Sequence, residues 1–126
     1  NALTLAAKHG HTLIIDWFLT ASPGLVDTQS RDGHTALITA VQSQNTDCAS
    51  TLLERKASIN ATDRARNSVL HIACANGTLP IVNLCLQYGA SSNVLNNKDE
   101  TPLMVAKTAD VCRAILGKMP PVAERV

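Results

Sequence analysis

The residues best equipped for chemistry in this chain are its four histidines and four cysteines. His9 and His11 stand two apart, and Asp16 follows about a helical turn later. Such a set could offer imidazole nitrogens and a carboxylate for proton transfer or metal ligation. The histidines flank a helix break at Gly10, and no site is expected from them. Cys48, Cys74, Cys85 and Cys112 show no C-x-x-C and no short Cys/His spacing suited to zinc. Each lies in an apolar helical pattern, so all four are expected as buried, reduced, unreactive small hydrophobes. Reduced thiols point to the cytoplasm or nucleus. No G-x-S-x-G, phosphate-binding loop, H-E-x-x-H or G-x-G-x-x-G occurs. The chain is therefore expected to be no enzyme and to need no cofactor or metal.

The elements that would carry these residues follow from composition and pattern. The 126 residues, 45% apolar and 17% charged, fit one domain able to bury a core. Trp17, Phe18 and Tyr88 are its only aromatic residues, which favours closely packed helices of Leu, Ile, Val and Ala over an aromatic-rich β-sandwich. A net charge of +1 is too small for the basic footprint of a nucleic-acid binder. The segment 67–97 has no charged residue, yet Pro80, Gly77, Gly89 and several amides break it far short of the roughly 20 apolar residues of a membrane span. The glycosylation triplets at Asn60 and Asn76 are expected to stay unoccupied.

Internal repetition organises the rest. Leu3, Leu37, Leu70 and Leu103 are separated by 34, 33 and 33 residues, and Ala6, Ala40, Ala73 and Ala106 keep the same spacing. Each copy reads as a short Leu/Ala helix, a break (His9-Gly10-His11, Gln44-Asn45, Asn76-Gly77), a second apolar helix and a long polar turn. After the third copy that turn contains Gly89, which is expected to supply a left-handed helix cap.

Period, order and motif together resemble the ankyrin repeat family, over essentially residues 1–117. Thr101-Pro102-Leu103 and Leu70-His71-Ile72-Ala73 carry the closest matches to its T-P-L-H-x-A signature. The resemblance implies an all-α solenoid of about four helix-turn-helix units, roughly 1–29, 30–62, 63–95 and 96–117, with short β-hairpin fingers and a tail over 118–126. Fingers are expected near Asp32-Gly33, Ala65-Arg66 and Lys98-Asp99. Arg66 and Asp99 stand where a finger glycine is usual and Gln44-Asn45 where Gly-His is usual, and strain from positive φ or an altered finger is expected there.

The resemblance makes His71 and Thr101 structural and gives the chain the function of a protein-interaction scaffold. It places partner contacts on the finger tips, Arg31, Asp32 and His34, then Arg64, Ala65 and Asn67, then Asn97, Lys98 and Glu100. Further contacts fall on the first-helix ends, Lys8 and His9, Gln42 and Ser43, Ala75 and Asn76. Arg31, Arg64 and Lys98 read as a row of cations suited to a protein or peptide partner with interspersed acidic groups. A structural spacer in a larger protein is the alternative.

The first unit lacks a preceding finger, so a longer array continuing on the N-terminal side is expected. An apolar edge near Leu3, Leu5 and Ile15 would then permit self-association. The last unit is three residues shorter between Leu103 and Leu116 than the third between Leu70 and Leu86, and Lys107 stands where a small residue packs. Both features suit a terminal cap. The segment Asn67–Cys74, the shortened unit and Met119-Pro120 are also similar to the C-terminal repeats of ankyrin-type regulatory subunits of protein phosphatase 6.

Overall fold

The computed structural model of the chain describes residues 2–117; the tail expected over 118–126 lies outside them. Seven α-helices occur among the described residues: α1 (Ala2–His9), α2 (Thr12–Ala21), α3 (Ala36–Gln42), α4 (Thr46–Glu54), α5 (Val69–Asn76), α6 (Leu79–Gln87) and α7 (Ala109–Gly117). Single 3-10 turns lie at Pro23–Leu25 and Leu103–Val105. The first helices α1, α3 and α5 stack in one row that ends on the turn at Leu103–Val105, and α2, α4, α6 and α7 form a second row behind it. Leu3, Leu37 and Leu70 are at most 2% exposed and Ala6, Ala40 and Ala73 at most 4%, so the 33-residue period is the period of the core.

Short helices of this kind are marginal alone and depend on packing and on their ends. Thr35 Oγ1 accepts from Ile38 N at 3.3 Å, and Ser68 Oγ accepts from His71 N at 3.2 Å. At the other ends, Gly77 (φ 71°) and Gly89 (φ 85°) turn the chain left-handed. Gln44, Lys56, Arg66 and Asp99 adopt the same region, with φ of 59°, 70°, 63° and 58°. The break expected at Gln44-Asn45 thus falls on Gln44, while Asn45 has φ −88° and precedes α4. Lys56 was not foreseen. It makes the turn after α4 that Gly89 makes after α6: Ala57 N bonds Leu52 O at 2.9 Å, as Ala90 N bonds Cys85 O at 3.0 Å.

The fourth copy departs from helix-turn-helix. Its first helix is reduced to the 3-10 turn Leu103–Val105, because Ala106 is extended and Thr108 already caps α7, accepting from Val111 N at 3.2 Å. Deleting three residues removes nearly one helical turn together with the interhelical glycine. Lys107 N compensates by bonding Cys74 O at 3.1 Å, and the Lys107 side chain is exposed where Ala7, Val41 and Cys74 are fully buried.

Two stability changes follow. Leu70→Ala should cost about 2–5 kcal/mol, because stacked helices on either side prevent the site from collapsing. Lys56→Gly should stabilise by about 1 kcal/mol by relieving the left-handed backbone of an exposed residue. Urea melts of the two variants against the parent chain check both.

Candidate functional site

The polar turns that precede the first helices set the geometry. In the turn at 30–34, Ser30 N bonds His34 O at 2.8 Å and Gly33 N bonds Ser30 O at 3.0 Å. Asp63 N to Asn67 O (3.1 Å) with Arg66 N to Asp63 O (3.0 Å), and Asn96 N to Glu100 O (3.1 Å) with Asp99 N to Asn96 O (3.0 Å), repeat the pattern. Two of the three are locked by the side chain of their first residue. Asp63 Oδ1 accepts from Ala65 N and Asn67 N, both at 2.9 Å; Asn96 Oδ1 accepts from Lys98 N at 2.9 Å and Glu100 N at 3.0 Å. These are the expected fingers, although the isolated Thr62–Ser68 bridge is the only β pairing among the described residues.

This register changes the cation row. Residues Arg31, Arg64 and Asn97 occupy equivalent points, and Lys98 falls one position later. The first two are not equally available. Arg64 reaches back and donates to Arg31 O, its aliphatic stem lying against Gly33, where an added Cβ would meet Arg64 Cγ at 3.4 Å. Asn97 likewise donates through N to Ala65 O (2.9 Å) and through Nδ2 to Arg64 O (3.3 Å). Arg64 and Asn97 therefore tie each finger to the one before, whereas Arg31, Asp32 and Lys98 stay exposed.

Two open grooves lie between these fingers and the first helices. One, of about 450 Å³, is lined by Asp63, Ala65, Asn67, Ile72, Ala75, Asn76, Asn97, Lys98, Glu100 and Val105; the other, of about 500 Å³, by Leu5, Lys8, Arg31, Asp32, His34, Thr39 and Ser43. Gln42 lines both, so they form one continuous surface. Every finger and helix-end residue singled out from the sequence except Arg64 and His9 borders it. Arg64 instead lines an adjoining cleft of about 480 Å³ between the first two fingers, with Ser30, Arg31, Gly33 and Asp63. The floor positions Leu5, Thr39, Ile72 and Val105 were missed, although they repeat at the same 34, 33 and 33 spacing as the leucines.

Buried polar groups hold this surface in place. The His71 ring is 1% exposed. Its Nδ1 accepts from Ser68 N at 3.1 Å, so Nε2 carries the proton and donates to Glu100 O at 2.7 Å. The ring joins the third first-helix, α5, to the last finger and is structural, as expected. Asn96, 7% exposed, donates to Asn67 Oδ1 (2.9 Å) and Glu100 Oε1 (3.1 Å). Further back, Asn45 Nδ2 donates to Ala7 O at 2.7 Å and Asn76 Nδ2 to Val41 O at 3.3 Å, each satisfying a carbonyl at the C-terminal end of the preceding first helix.

The other chemistry-bearing residues assemble nothing. His9 and His11 are exposed with rings 6.2 Å apart, and Asp16 pairs instead with Arg55 of the next unit at 3.3 Å. Among the described residues, no group of three or more His, Cys, Asp or Glu side chains is placed to hold a metal. Cys48, Cys74 and Cys85 are buried free thiols, but Cys112 is only half-buried, a correction to the expectation for all four. Cys112 occupies the place of Ala49 and Val82, which are buried against the following unit. Burial pushes the Cys85 thiol up to about 12, and burial, reinforced by Cys85 and Cys112, does the same to Cys74.

The apolar edge also needs correcting. Leu3 and Ile15 are 2% and 0% exposed because they face α3 and α4. One position round the helix, Ile14 is 48% exposed, and Leu13 (84%), Trp17 (72%) and Leu5 (60%) are also open. Cys48, Ile81 and Val111, equivalent to Ile14, are at most 1% exposed.

The repeat geometry defines a class of protein, and the comparisons agree. Models of ankyrin repeats match residues 1–63 and 52–106, and the chain belongs to the ankyrin repeat family. It is similar to the B-cell lymphoma 3 protein homolog of Mus musculus, 35% identical over 94% of this chain and 26% of that protein. It is also similar to ankyrin repeat protein nuc-2 of Neurospora crassa, 34% identical over 70% of this chain and 8% of that protein. Mouse inversin is 30% identical over 90% of this chain and 11% of its own length. The chain thus spans about a quarter or less of these three relatives. The solved ankyrin repeat domain of Bcl-3, described as a member of the IkappaB protein family, superposes with a TM-score of 0.87 at 29% identity, over 91% of this chain and 50% of that one. No helix among the described residues is long and apolar enough to cross a membrane.

Thiol accessibility tests the packing. With a membrane-impermeant maleimide at pH 8, Cys112 should label first, and Cys48, Cys74 and Cys85 only at the rate of unfolding, because the reagent reaches these buried sulfurs only when the core opens. Mass spectrometry of the digested protein reads the order.

Proposed function

We propose that this chain is a non-catalytic protein-interaction module whose partner lies along the surface formed by the fingers and the first helices. One observation carries the reading: residues from fingers and first helices border a single continuous open surface through Gln42, while the buried hydrogen bonds of His71 and Asn96 fix its shape in advance. Preorganisation of this kind lowers the entropic cost of association. Contacts would come from Arg31, Asp32, His34, Gln42, Ser43, Ala65, Asn67, Asn76, Lys98 and Glu100, with Arg64 and Asn97 supporting the fingers.

The similarity to Bcl-3 and inversin favours such a role without naming the partner. The exposure of Ile14, where Cys48, Ile81 and Val111 are covered, favours a further helix pair on the N-terminal side, so that the segment belongs to a longer array. The same apolar residues would let isolated copies self-associate through that edge. A protein partner and reduced cysteines fit an intracellular setting, cytoplasmic or nuclear.

The experiment is charge reversal on the fingers. Arg31→Glu with Lys98→Glu should leave the melting temperature within about 2 °C of the parent, as exposed charges contribute little to stability. It should also remove partners captured from cell extract, in a salt-sensitive way. Arg64→Glu should instead lower stability by about 0.5–1.5 kcal/mol through loss of its bond to Arg31 O. Full retention of every captured partner by the double variant would exclude this surface, and with it the preference over a structural spacer.

A further inference from the structure

The open surface has a direction written into it, and that direction selects a ligand. Its floor is a line of one position per unit, Leu5, Thr39, Ile72 and Val105, with Thr39 the only polar member. Packed helices lie about 8–10 Å apart, and the Leu103–Val105 turn packs on α5 in the place of a fourth first helix, so successive floor positions are spaced by about that distance. A polyproline-type extended peptide rises about 3.1 Å per residue with three residues per turn, which brings the same face round every 9 Å or so. One peptide turn therefore matches one unit of the stack. Every third side chain of such a peptide can then meet a floor position.

Charge then fixes which end goes where. The groove over the first two units carries Lys8 and Arg31 against the single carboxylate of Asp32. That over the last two carries Asp63 and Glu100 against the single ammonium of Lys98, above the apolar Ile72 and Val105. Arg64, the intervening cation, is turned away to the neighbouring finger.

The geometry points to a specific ligand class for this surface: an extended peptide with two apolar side chains three residues apart and an acidic pair four to five residues from the nearer one. The apolar pair sits on Ile72 and Val105, and the acidic pair lies beside Lys8 and Arg31. This inference rests on the interaction reading above and deepens it. It commits to an extended acidic peptide rather than a folded partner edge.

The test uses synthetic peptides and the whole chain. The probe is the proline-rich nonapeptide Glu-Glu-Pro-Ser-Pro-Leu-Ser-Pro-Leu, together with its reversed sequence, since the surface fixes charge order but not chain direction. Backbone amide spectra at low salt should show one of the two perturbing Lys8 and Arg31 at one end and Ile72 and Val105 at the other. Replacing both Glu by Lys should weaken binding about tenfold, and Arg31→Glu should reverse that preference. Moving the second Leu so that four residues separate the pair should also weaken it several-fold. Equal binding of the Glu and Lys peptides, indifference to the Leu spacing, or no perturbation by either direction would each overturn the inference. Capture of partners from extract is a separate readout. If it depends on Arg31 and Lys98 while the peptides fail, the interaction surface stands and the peptide class does not.

Discussion

No helix pair in this chain can bury its apolar side by itself. Each contributes a thin strip, one leucine and one alanine per turn of the pattern, and only the neighbouring pair covers it. The strip at Leu37, Ala40, Leu70 and Ala73 is buried because helices lie on both sides. The alanines matter as much as the leucines, since a larger residue there would hold the rows apart. Stacking at a fixed spacing follows from this need. So does the surface in front of the helices, because equivalent residues are brought into lines one unit apart.

Polar groups then turn a stack into a defined shape. Hydrophobic burial is tolerant of small slips, whereas a buried hydrogen bond is not. His71 links the start of α5 to the last finger, Asn45 and Asn76 each cap the preceding first helix, and Arg64 and Asn97 chain the fingers together. Each bond crosses from one unit to the next. The fingers contain almost no sheet, and these links are what hold them upright. Residues that look like partner contacts in the sequence thereby divide into those that build the surface and those left free on it.

The two ends show what the stack requires. At the C-terminal side the exposed Lys107, the lost helical turn and the half-covered Cys112 mark a unit with less apolar surface to hide. At the N-terminal side Leu13, Ile14 and Trp17 stay open, on a helix whose one charge, Asp16, is engaged by Arg55. The asymmetry is chemical as well as geometric: one end substitutes a charged and extended segment for a helix, the other presents a bare apolar helix.

The sequence by itself determined the period, the helix pairs, the cap at Gly89, the positive φ at Arg66 and Asp99 and the structural part played by His71. All of these are local or repeated, and repetition multiplies a weak signal by the number of copies. Tertiary structure alone decided the rest. Whether Ile14 or Ile15 is buried depends on about 100° of helical phase, which two adjacent isoleucines do not reveal. Arg64 and Lys98 look alike as surface cations until the finger register puts one against a neighbouring carbonyl and leaves the other free. Cys112 shares its apolar setting with three buried cysteines, and only the packing around α7 distinguishes it as half-covered. The floor line from Leu5 to Val105 repeats as regularly as the core leucines, yet a period tells only that residues are equivalent. Which side of the stack they face is settled by packing.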